Sequence, residues 1–381
     1  MKKICYVTTI SLTLKSFVIK SAVYLKEHTD WDITVICDND DEFAKSLPEG
    51  IRYIPVSMKR GISFDGLSVI NKLKKIFKEE KFDLVQFSTP NASLYTSIAA
   101  KKAKVPVRLY CQWGIVYVGF QGLKRKIFKF IEKRVCKNAT HIEPDSLGNL
   151  EFAVSEGLYD KSKGKVILNG SASGVDLNKF DVSKKPEWRK EIRGKVKLDE
   201  KSFVYGFVGR ITGDKGINEL FEAFRRIYEK HGDAHLMLVG FAEKADSVNN
   251  ELYEWAEKCE NVHFCGYSTE VEKYFSAMDV YVLPSYREGF GMSVIEAEAM
   301  ALPIITTDIP GPRDAMVNDF TGISVAVKDV DGLTNAMTKL YNDRTLCKEF
   351  GDNGESFARE KFEQQALFEY IREDRKNLLN D

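Results

Sequence analysis

The stretch REGFGMSVIEAEAMALPIITTDIPGPRDAM (residues 287–316) carries the pattern that decides the fold. A glycine-flanked turn at Gly289 and Gly291 precedes residues of helix-forming composition that begin at Met292 and Ser293. Glycines allow the backbone to approach a ligand closely, and the free N–H groups of a helix N-terminus bind anions. The stretch therefore predicts an anion site where a loop enters a helix.

Two glutamates flank this turn. Glu288 stands before it and Glu296 lies inside the predicted helix, with seven residues between them. Because carboxylates accept hydrogen bonds from hydroxyl groups, the pair suits an anion that carries a polyol at each end. A nucleoside diphosphate sugar has this layout, with a ribose diol, a diphosphate and sugar hydroxyls. The alternative is that both are solvated helix residues, since glutamate is common in helices.

A second motif favours the ligand interpretation. The stretch FVYGFVGRITGDKGINELFEAFRRI (residues 203–227) predicts a buried strand, a turn at Gly209 and Arg210, and an amphipathic helix led by Lys215. Open α/β sheets bind ligands at the carboxyl ends of their strands. The planar fork of arginine and the mobile charge of lysine together suit a diphosphate.

The whole chain alternates apolar strand patterns with amphipathic helix patterns. Seven strand patterns fall in the N-terminal half, the last of them GKVILN (residues 164–169), and six fall in the C-terminal half. Such alternation predicts an α/β protein with parallel sheets and right-handed crossovers. The 381 residues suffice for about two to three domains. The charged, proline-containing segment from Val182 to Pro186 is the expected hinge.

These motifs resemble the retaining glycosyltransferases of family 4, which have the GT-B fold. The resemblance rests on GRITGDKG, SYREGFG, MSVIEAEAMALPIITTDIPGP and FTGISV in the C-terminal half, and on ILNGSASGVDLNKF (residues 167–180). It implies two Rossmann-like domains with parallel sheets facing a central cleft. An acceptor-binding domain would cover residues 1–185 and a nucleotide-sugar-binding domain residues 186–360. A C-terminal helix, residues 361–381, would cross back to the N-terminal domain.

The resemblance also implies roles for individual residues. Arg210 and Lys215 would hold the donor diphosphate, Glu288 the hydroxyls of the transferred sugar, and Glu296 the ribose, so that Arg210, Lys215 and Glu288 are the expected catalytic residues. Tyr267, in FCGYSTEV, is the expected contact for the base. The full expected donor-binding set is Gly209, Arg210, Lys215, Tyr267, Glu288, Gly289, Phe290, Gly291, Met292, Ser293 and Glu296.

The sequence departs from the family pattern at two places in its N-terminal half. Relatives often have a Gly-Gly loop after the first strand, but YVTTISLTLKSF (residues 6–17) contains no glycine. Ser11, Thr13 and Lys15 are the acceptor-side candidates there. Many relatives also place a histidine where this chain has Gln112 and Trp113, which become the other acceptor-side candidates. A sugar contact that depends on histidine is therefore not expected.

Composition and motifs argue against a metal site, a membrane-spanning helix and a nicotinamide cofactor. Seven cysteines lack the spacing of a metal site, and their odd number favours reduced thiols and a cytoplasmic location. No apolar run reaches about 18 residues, and no GxGxxG motif indicates a nicotinamide cofactor. Asp38 to Asp40 mimic a metal-binding Asp-x-Asp but are interpreted as a solvated loop. No metal, cofactor or nucleic-acid partner is expected.

Charge is distributed unevenly along a chain whose net charge is zero. Through Lys185 there are 31 basic and 20 acidic residues, and after it 25 basic and 36 acidic. Much of the basic excess lies in GLKRKIFKFIEKRVCK (residues 122–137), where Phe128, Ile131 and Val135 fall at helical spacing. The basic residues expected opposite them are Lys124, Arg125, Lys129 and Lys133. Either this helix contacts an anionic membrane, or it packs on its own sheet with a solvated basic face.

The combined expectation is a retaining, metal-independent glycosyltransferase. It would move a hexose or N-acetylhexosamine from a UDP-linked donor to a hydroxyl of an acceptor that a lipid pyrophosphate anchors in the membrane, in bacterial surface polysaccharide or glycan assembly. Its location would be peripheral, at the inner face of the cytoplasmic membrane. Two alternatives remain open: a GT-B nucleotide-sugar epimerase, which would need placed acid and base groups, and a noncatalytic glycan-assembly subunit.

Overall fold

The computed structural model describes residues 1–58, 66–242 and 248–380, which alternate strands with helices. They divide into two units. Unit 1 contains residues 1–173 and the C-terminal segment from residue 365, and unit 2 contains residues 174–364. Each unit is built on one six-stranded sheet whose strands all pair in parallel. The α/β fold class predicted from the alternation is therefore confirmed.

Unit 1 contains the first half of the regular elements. Its strands are β1 Lys3–Val7, β2 Asp32–Cys37, β3 Ile51–Pro55, β4 Leu84–Phe87, β5 Val107–Gln112 and β6 His141–Pro144. Its first seven helices are α1 Ser11–Phe17, α2 Ile19–His28, α3 Asp41–Ser46, α4 Gly66–Glu80, α5 Pro90–Ala103, α6 Gly122–Asn138 and α7 Leu147–Ser155.

Unit 2 repeats the alternation. Its strands are β7 Phe203–Val208, β8 Ala234–Val239, β9 Val262–Gly266, β10 Val280–Leu283, β11 Ile304–Thr307 and β12 Gly322–Val325. Its helices are α8 Lys185–Lys195, α9 Ile217–Lys230, α10 Asn250–Lys258, α11 Val271–Ala277, α12 Met292–Ala299, α13 Pro312–Ala315, α14 Val330–Asn342 and α15 Arg344–Phe362. The last helix, α16 Gln364–Leu379, returns the chain to unit 1.

Both sheets have the doubly wound strand order. In unit 1 the order is β3-β2-β1-β4-β5-β6, and in unit 2 it is β12-β11-β10-β7-β8-β9. The direction of winding therefore reverses between β1 and β4 in one unit and between β7 and β10 in the other. The crevice outside the carboxyl ends of these strands is where such sheets bind ligands.

The strands are buried on both faces, as parallel sheets require. Leu236, Met237 and Leu238 follow one another along β8 and are all inaccessible to solvent. Because neighbouring side chains of a strand point to opposite faces, helices must cover both sides of the sheet. Burying such side chains contributes about 1.5–3 kcal/mol each, which makes the sheets a rigid base for the loops at their edges.

The chain enters and leaves unit 2 at adjacent points. The Val175 amide donates to the Phe362 carbonyl at 2.7 Å, and the Gln364 amide donates to the Val175 carbonyl at 3.0 Å. The boundary after residue 173 thus precedes the hinge expected from Val182 to Pro186. That segment is already inside unit 2, where Pro186 occupies the first turn of α8, a position that suits proline.

Helix α16 is fixed to unit 1 by apolar packing and by buried charge. Leu367, Phe368 and Ile371 join the apolar cluster on one side of the sheet. Arg375 is almost completely buried, and its guanidinium contacts the Glu143 carboxylate of β6 at 2.6 Å. Since a buried cation is costly without a partner, this contact specifies the position at which the helix docks.

One predicted strand is wrong. The pattern GKVILN forms only an isolated bridge between Gly164 and Ile142 of β6. The backbone then leaves the extended conformation, because Leu168 and Gly170 have φ values of 51° and 92°. An apolar run cannot by itself show such a turn.

Among the residues that the structure describes, no helix is long and apolar enough to cross a membrane.

Candidate functional site

The turn after β7 packs closely against the loop after β10. Gly216 has φ of 72°, and a Cβ atom there would lie 2.0 Å from the carbonyl oxygen of Pro284. The Tyr286 amide also donates to the carbonyl oxygen of Asp214 at 2.9 Å. These loops follow the two strands between which the winding reverses, and therefore lie where doubly wound sheets bind ligands.

This packing brings together two residues that the sequence analysis selected from separate motifs. The Lys215 Nζ donates to the Glu288 Oε1 at 2.5 Å, and the Ser285 hydroxyl donates to the same oxygen at 2.7 Å. The side chains of Lys215 and Glu288 are only 18% and 12% exposed. An ammonium and a carboxylate therefore meet at the ligand-binding edge of the sheet, where they can bind a phosphate and a hydroxyl group respectively.

Arg210 belongs to a second charged group beside this pair. Its Nη2 lies 3.8 Å from the Asp214 Oδ2, and the Arg287 Nη2 lies 2.8 Å from the same oxygen. Burial raises the pKa of Asp214, but the hydrogen bond from Thr212 and the charges of Arg287 and Arg210 outweigh it and lower the pKa overall. Arg287 was not among the residues predicted from the sequence, although its position next to Glu288 after a strand was a usable signal.

The glycine-flanked turn leads into a helix as predicted. Gly291 has φ of 88° and is the N-cap of α12, which begins at Met292. A Cβ atom at Gly311 would lie 1.9 Å from the Gly289 carbonyl oxygen. This turn therefore also requires a glycine at position 311. Phe290 is buried, which leaves its backbone rather than its ring available to a ligand.

Helix α12 places Glu296 in its second turn, near the strand that precedes the site. The Tyr281 hydroxyl of β10 donates to the Ser293 Oγ at 2.7 Å. Burial raises the pKa of Tyr281, and the charges of Glu288 and Glu296 raise it further. Both predicted glutamates thus lie close enough to this buried tyrosine for their charges to act on it.

A third carboxyl group of α12, Glu298, was not selected from the sequence. Its side chain is completely buried, and among the residues that the structure describes only Thr321 lies near enough to its carboxyl group to influence it. Burial raises the pKa of Glu298 well above its usual range, and the nearby Thr321 offsets this only in part. Glu298 therefore belongs to the packing of the helix rather than to its solvent-facing side.

Tyr267 lies at the carboxyl edge of the same sheet and is paired with a second aromatic residue. Its ring stacks on that of Phe241 with centroids 4.6 Å apart and planes inclined by 6°. Both rings are more than half exposed. The Ile211 amide donates to the Phe241 carbonyl at 2.9 Å, which ties the aromatic pair to the turn after β7. Phe241 was not among the residues predicted from the sequence.

The glycine-free loop of unit 1 is organised by a side-chain cap. The Ser11 hydroxyl donates to Asp40 at 2.5 Å, and Asp40 accepts from the Phe43 amide as the N-cap of α3. These two bonds lower the pKa of Asp40. Lys15 lies over the Phe43 ring, 5.5 Å from its centroid, and Thr13 is partly exposed on α1. Asp40 thus has a structural role in the segment that mimics a metal motif.

Two threonines join the ends of β1 and β4 at the winding reversal of unit 1. The Thr9 amide donates to the Thr89 Oγ1 at 3.0 Å, and the two hydroxyls are 2.8 Å apart. Thr89 has φ of 68° and ψ of 145°, a conformation that is strained for a residue other than glycine. Strain of this kind collects at ligand sites, and no pattern in the sequence predicts it.

The structure corrects one acceptor-side candidate. Gln112 is fully buried, and its amide donates to Glu132 at 2.6 Å and accepts from the Tyr159 hydroxyl at 3.0 Å. Its side chain is thus part of the interior and cannot reach an acceptor. Trp113 remains partly exposed and packs on Phe17 with ring centroids 5.4 Å apart.

Within residues 1–58, 66–242 and 248–380, no cluster of three or more His, Cys, Asp or Glu side chains is arranged to hold a metal ion.

Two sequence families match this chain, one in each half. The family described as "Glycosyl transferase 4-like" matches residues 3–146, and "Glycosyl transferases group 1" matches residues 189–357. The first covers the β1–β6 sheet. The second contains the turn after β7 and helix α12.

The chain is also similar to individual proteins over nearly its whole length. It is 30% identical to the capsular polysaccharide biosynthesis glycosyltransferase CapM of Staphylococcus aureus, over 97% of this chain and 96% of the relative. It is 27% identical to the UDP-Gal:alpha-D-GlcNAc-diphosphoundecaprenol alpha-1,3-galactosyltransferase of Escherichia coli, over 84% and 83%. The crystal structure of Anabaena HepE in complex with UDP covers 99% of this chain and 100% of its own, with a TM-score of 0.80 at 18% identity, which shows a shared fold.

The first prediction tests the close packing that forms the site. Gly216→Ala places a Cβ atom against the Pro284 carbonyl at a positive φ, and we expect it to lower the free energy of unfolding by at least about 2 kcal/mol. Gly194→Ala in α8 is the control, because no heavy atom lies within 4 Å of the added Cβ. Denaturant unfolding measures both variants. Equal stability of the two would contradict the packing described here.

Proposed function

Because this chain belongs to glycosyltransferase family 4 and has the GT-B fold, we propose that it transfers a hexose or N-acetylhexosamine from a UDP-linked donor to a hydroxyl of a lipid-linked glycan in bacterial surface polysaccharide assembly. The transfer retains the anomeric configuration and needs no metal ion. The observation that carries the proposal is the Lys215–Glu288 contact of 2.5 Å at the winding reversal of unit 2. The contact supports the proposal because an ammonium can bind phosphate and the neighbouring carboxylate can accept hydrogen bonds from hydroxyl groups.

In this proposal the donor lies along the edge of the unit 2 sheet. Arg210, Lys215 and the N-terminus of α12 bind the diphosphate, and Arg287 adds a third cation that already shares Asp214 with Arg210. Glu288 accepts hydrogen bonds from the sugar. The Lys215 ammonium has three donors, so it can bind an oxygen of the diphosphate as well as Glu288.

The nucleoside part of the donor is assigned to the neighbouring residues. Glu296 accepts from the ribose diol, and the exposed ring of Tyr267 contacts the base, with Phe241 stacked on it at 4.6 Å. Uridine is proposed because the name of the E. coli relative specifies UDP-Gal and because HepE was crystallised with UDP. The sugar itself is left as a hexose or N-acetylhexosamine.

The proposed mechanism is electrostatic. The bond between C1 of the sugar and the phosphate oxygen breaks, and negative charge develops on the departing UDP. Arg210, Lys215 and the backbone N–H groups at the start of α12 stabilise this charge, a type of stabilisation worth several kcal/mol per donor. The acceptor hydroxyl attacks C1 from the face that the diphosphate leaves, and its proton passes to the departing phosphate. No protein base is then required. This agrees with the sequence, which has Gln112 and Trp113 where many relatives have a histidine.

The acceptor is assigned to unit 1. The E. coli relative acts on a sugar linked to diphosphoundecaprenol, according to its name. The basic excess in the first 185 residues suits such a pyrophosphate at an anionic membrane surface, and we place the protein at the inner face of the cytoplasmic membrane. Ser11, Thr13, Lys15 and Trp113 remain the acceptor-side candidates.

The second prediction tests the reaction itself. The purified chain is incubated with UDP-Glc, UDP-Gal, UDP-GlcNAc, UDP-GalNAc or GDP-Man, each with and without a GlcNAc-diphosphoundecaprenol acceptor. We expect mass spectrometry to show one UDP-sugar extending the acceptor, with an α-linkage by NMR and equal yield in EDTA. A donor isomer formed without acceptor would indicate an epimerase. No product with any donor would indicate a noncatalytic subunit, and loss of product in EDTA would overturn metal independence.

The third prediction concerns the diphosphate cations. Arg210→Ala and Lys215→Ala should each lower kcat/KM by about two to four orders of magnitude, because each cation stabilises developing charge by about 3 kcal/mol or more. Lys215→Arg should restore only part of the activity. The matched control is Arg226→Ala, which removes an exposed cation of α9 that pairs with Glu222 and Asp331. Activity near wild type in both site variants would exclude the assignment.

The fourth prediction separates the two glutamates. Glu296→Ala should weaken the binding of UDP, since it removes the ribose contact. Glu288→Ala should leave UDP affinity unchanged or raise it, because Lys215 loses the carboxylate that competes with the diphosphate, while turnover of the UDP-sugar is lost. Isothermal titration calorimetry with UDP distinguishes the two variants. Equal weakening by both substitutions would show that the roles are misassigned.

A further inference from the structure

Helix α6 of unit 1 packs on its sheet by one face only. Val135 belongs to the apolar core and Phe128 packs against it, which confirms the inward face expected from the sequence. Two of the cations expected to face outward are already paired. Lys129 and Arg125 contact the Glu156 carboxylate at 2.7 and 3.2 Å. Besides these two paired cations, other residues contribute to the outward surface of α6.

That surface carries an apolar stripe. Leu123, Ile127 and Phe130 are 72%, 45% and 71% exposed. Their spacing of four and three residues places them in one row along a helix. Val118, in the short 3-10 helix before α6, is also exposed. Large apolar side chains scattered singly on a surface are ordinary, but a contiguous row indicates a contact surface.

Cations surround the stripe without neutralising acids. Lys126, Lys133, Arg134 and Lys137 are exposed, and none of them has an ion pair among the residues that the structure describes. The acidic residue of α6, Glu132, lies on the inward side, where Tyr110 and Gln112 donate to it. The outward face thus combines exposed apolar side chains with uncompensated positive charge. Soluble protein partners would need an equally large acidic and apolar patch, whereas an anionic bilayer offers both at once.

We infer that α6 lies in the surface of an anionic bilayer, with Leu123, Ile127 and Phe130 among the acyl chains and Lys126, Lys133, Arg134 and Lys137 at the level of the lipid phosphates. Long basic side chains can extend to the headgroups while the helix lies deeper. This inference rests on the proposed function only for the choice of a membrane-linked acceptor. It differs from purely electrostatic attraction, because insertion of the stripe resists salt, while exposed charges are screened over about 8–10 Å.

Vesicle binding tests the inference on the full chain. The probes are vesicles of phosphatidylcholine alone and of equal parts phosphatidylcholine and phosphatidylglycerol. The stripe variant is Leu123→Ser/Ile127→Ser/Phe130→Ser, with Leu67→Ser/Leu147→Ser as a control that removes exposed apolar residues of other helices. The charge variant is Lys126→Ser/Lys133→Ser/Arg134→Ser/Lys137→Ser, with a matched control of four exposed lysines, Lys45, Lys78, Lys101 and Lys102, changed to serine.

The wild type and both controls should sediment with the anionic vesicles and remain partly bound in high salt. The stripe variant should bind at least about tenfold more weakly, and its remaining binding should disappear in high salt. The charge variant should lose its preference for anionic over neutral vesicles. In Phe130→Trp, fluorescence should shift to the blue on vesicle addition, which reports entry into the acyl region. Binding of the stripe variant equal to wild type, or no fluorescence shift, would overturn the inference.

Three readouts separate this inference from the proposed function. The stripe variant should keep wild-type UDP affinity and wild-type turnover on a short, water-soluble acceptor, while turnover on the lipid-linked acceptor in vesicles falls. Vesicle binding without transferase activity would support the inference and contradict the proposed function, and activity without vesicle binding would do the reverse. If light scattering showed a wild-type dimer that the stripe variant abolishes without lipid, a second copy would cover the stripe and the inference would be wrong.

Discussion

The candidate site depends on the close approach of two loops in unit 2. A Cβ atom at Gly216 would lie 2.0 Å from the Pro284 carbonyl oxygen, and the Asp214 carbonyl accepts from the Tyr286 amide. Backbone packing therefore fixes the distance between the turn after β7 and the loop after β10. Lys215 and Glu288 stand on these two loops. Their contact follows from the packing of the loops, so the pair is held in place without the help of a ligand.

The Lys215–Glu288 pair also explains how two charged side chains can be accommodated where solvent access is low. Each side chain is less than one-fifth exposed, and an uncompensated charge there would be costly. In the free protein each neutralises the other, and Ser285 donates to the same carboxylate oxygen. An anionic ligand with hydroxyl groups offers each of them an alternative partner. Binding can then exchange contacts without leaving a desolvated charge unpaired.

The sequence predicted those parts of the structure that local patterns determine. The α/β class follows from alternating strand and helix patterns, and the start of α12 at Met292 follows from a glycine turn before helix-forming residues. Features set by distant residues were missed. Gln112 is hydrogen-bonded to Glu132 and Tyr159 in the interior. Arg287 and Arg210 both contact the Asp214 carboxylate. The unit boundary depends likewise on pairing between Val175 and residues 362–364, which are far apart in sequence.

Local arrangement of charge matters more in this protein than its total. Residues after Lys185 are acidic overall, with 25 basic and 36 acidic residues, yet Arg210, Lys215 and Arg287 gather at one edge of the unit 2 sheet. These three cations are thus a local exception to the acidic composition of this half. In the first half, several exposed cations of the basic excess lie on α6. The same residue types are thus gathered at one sheet edge in the acidic half and spread along one exposed helix in the basic half.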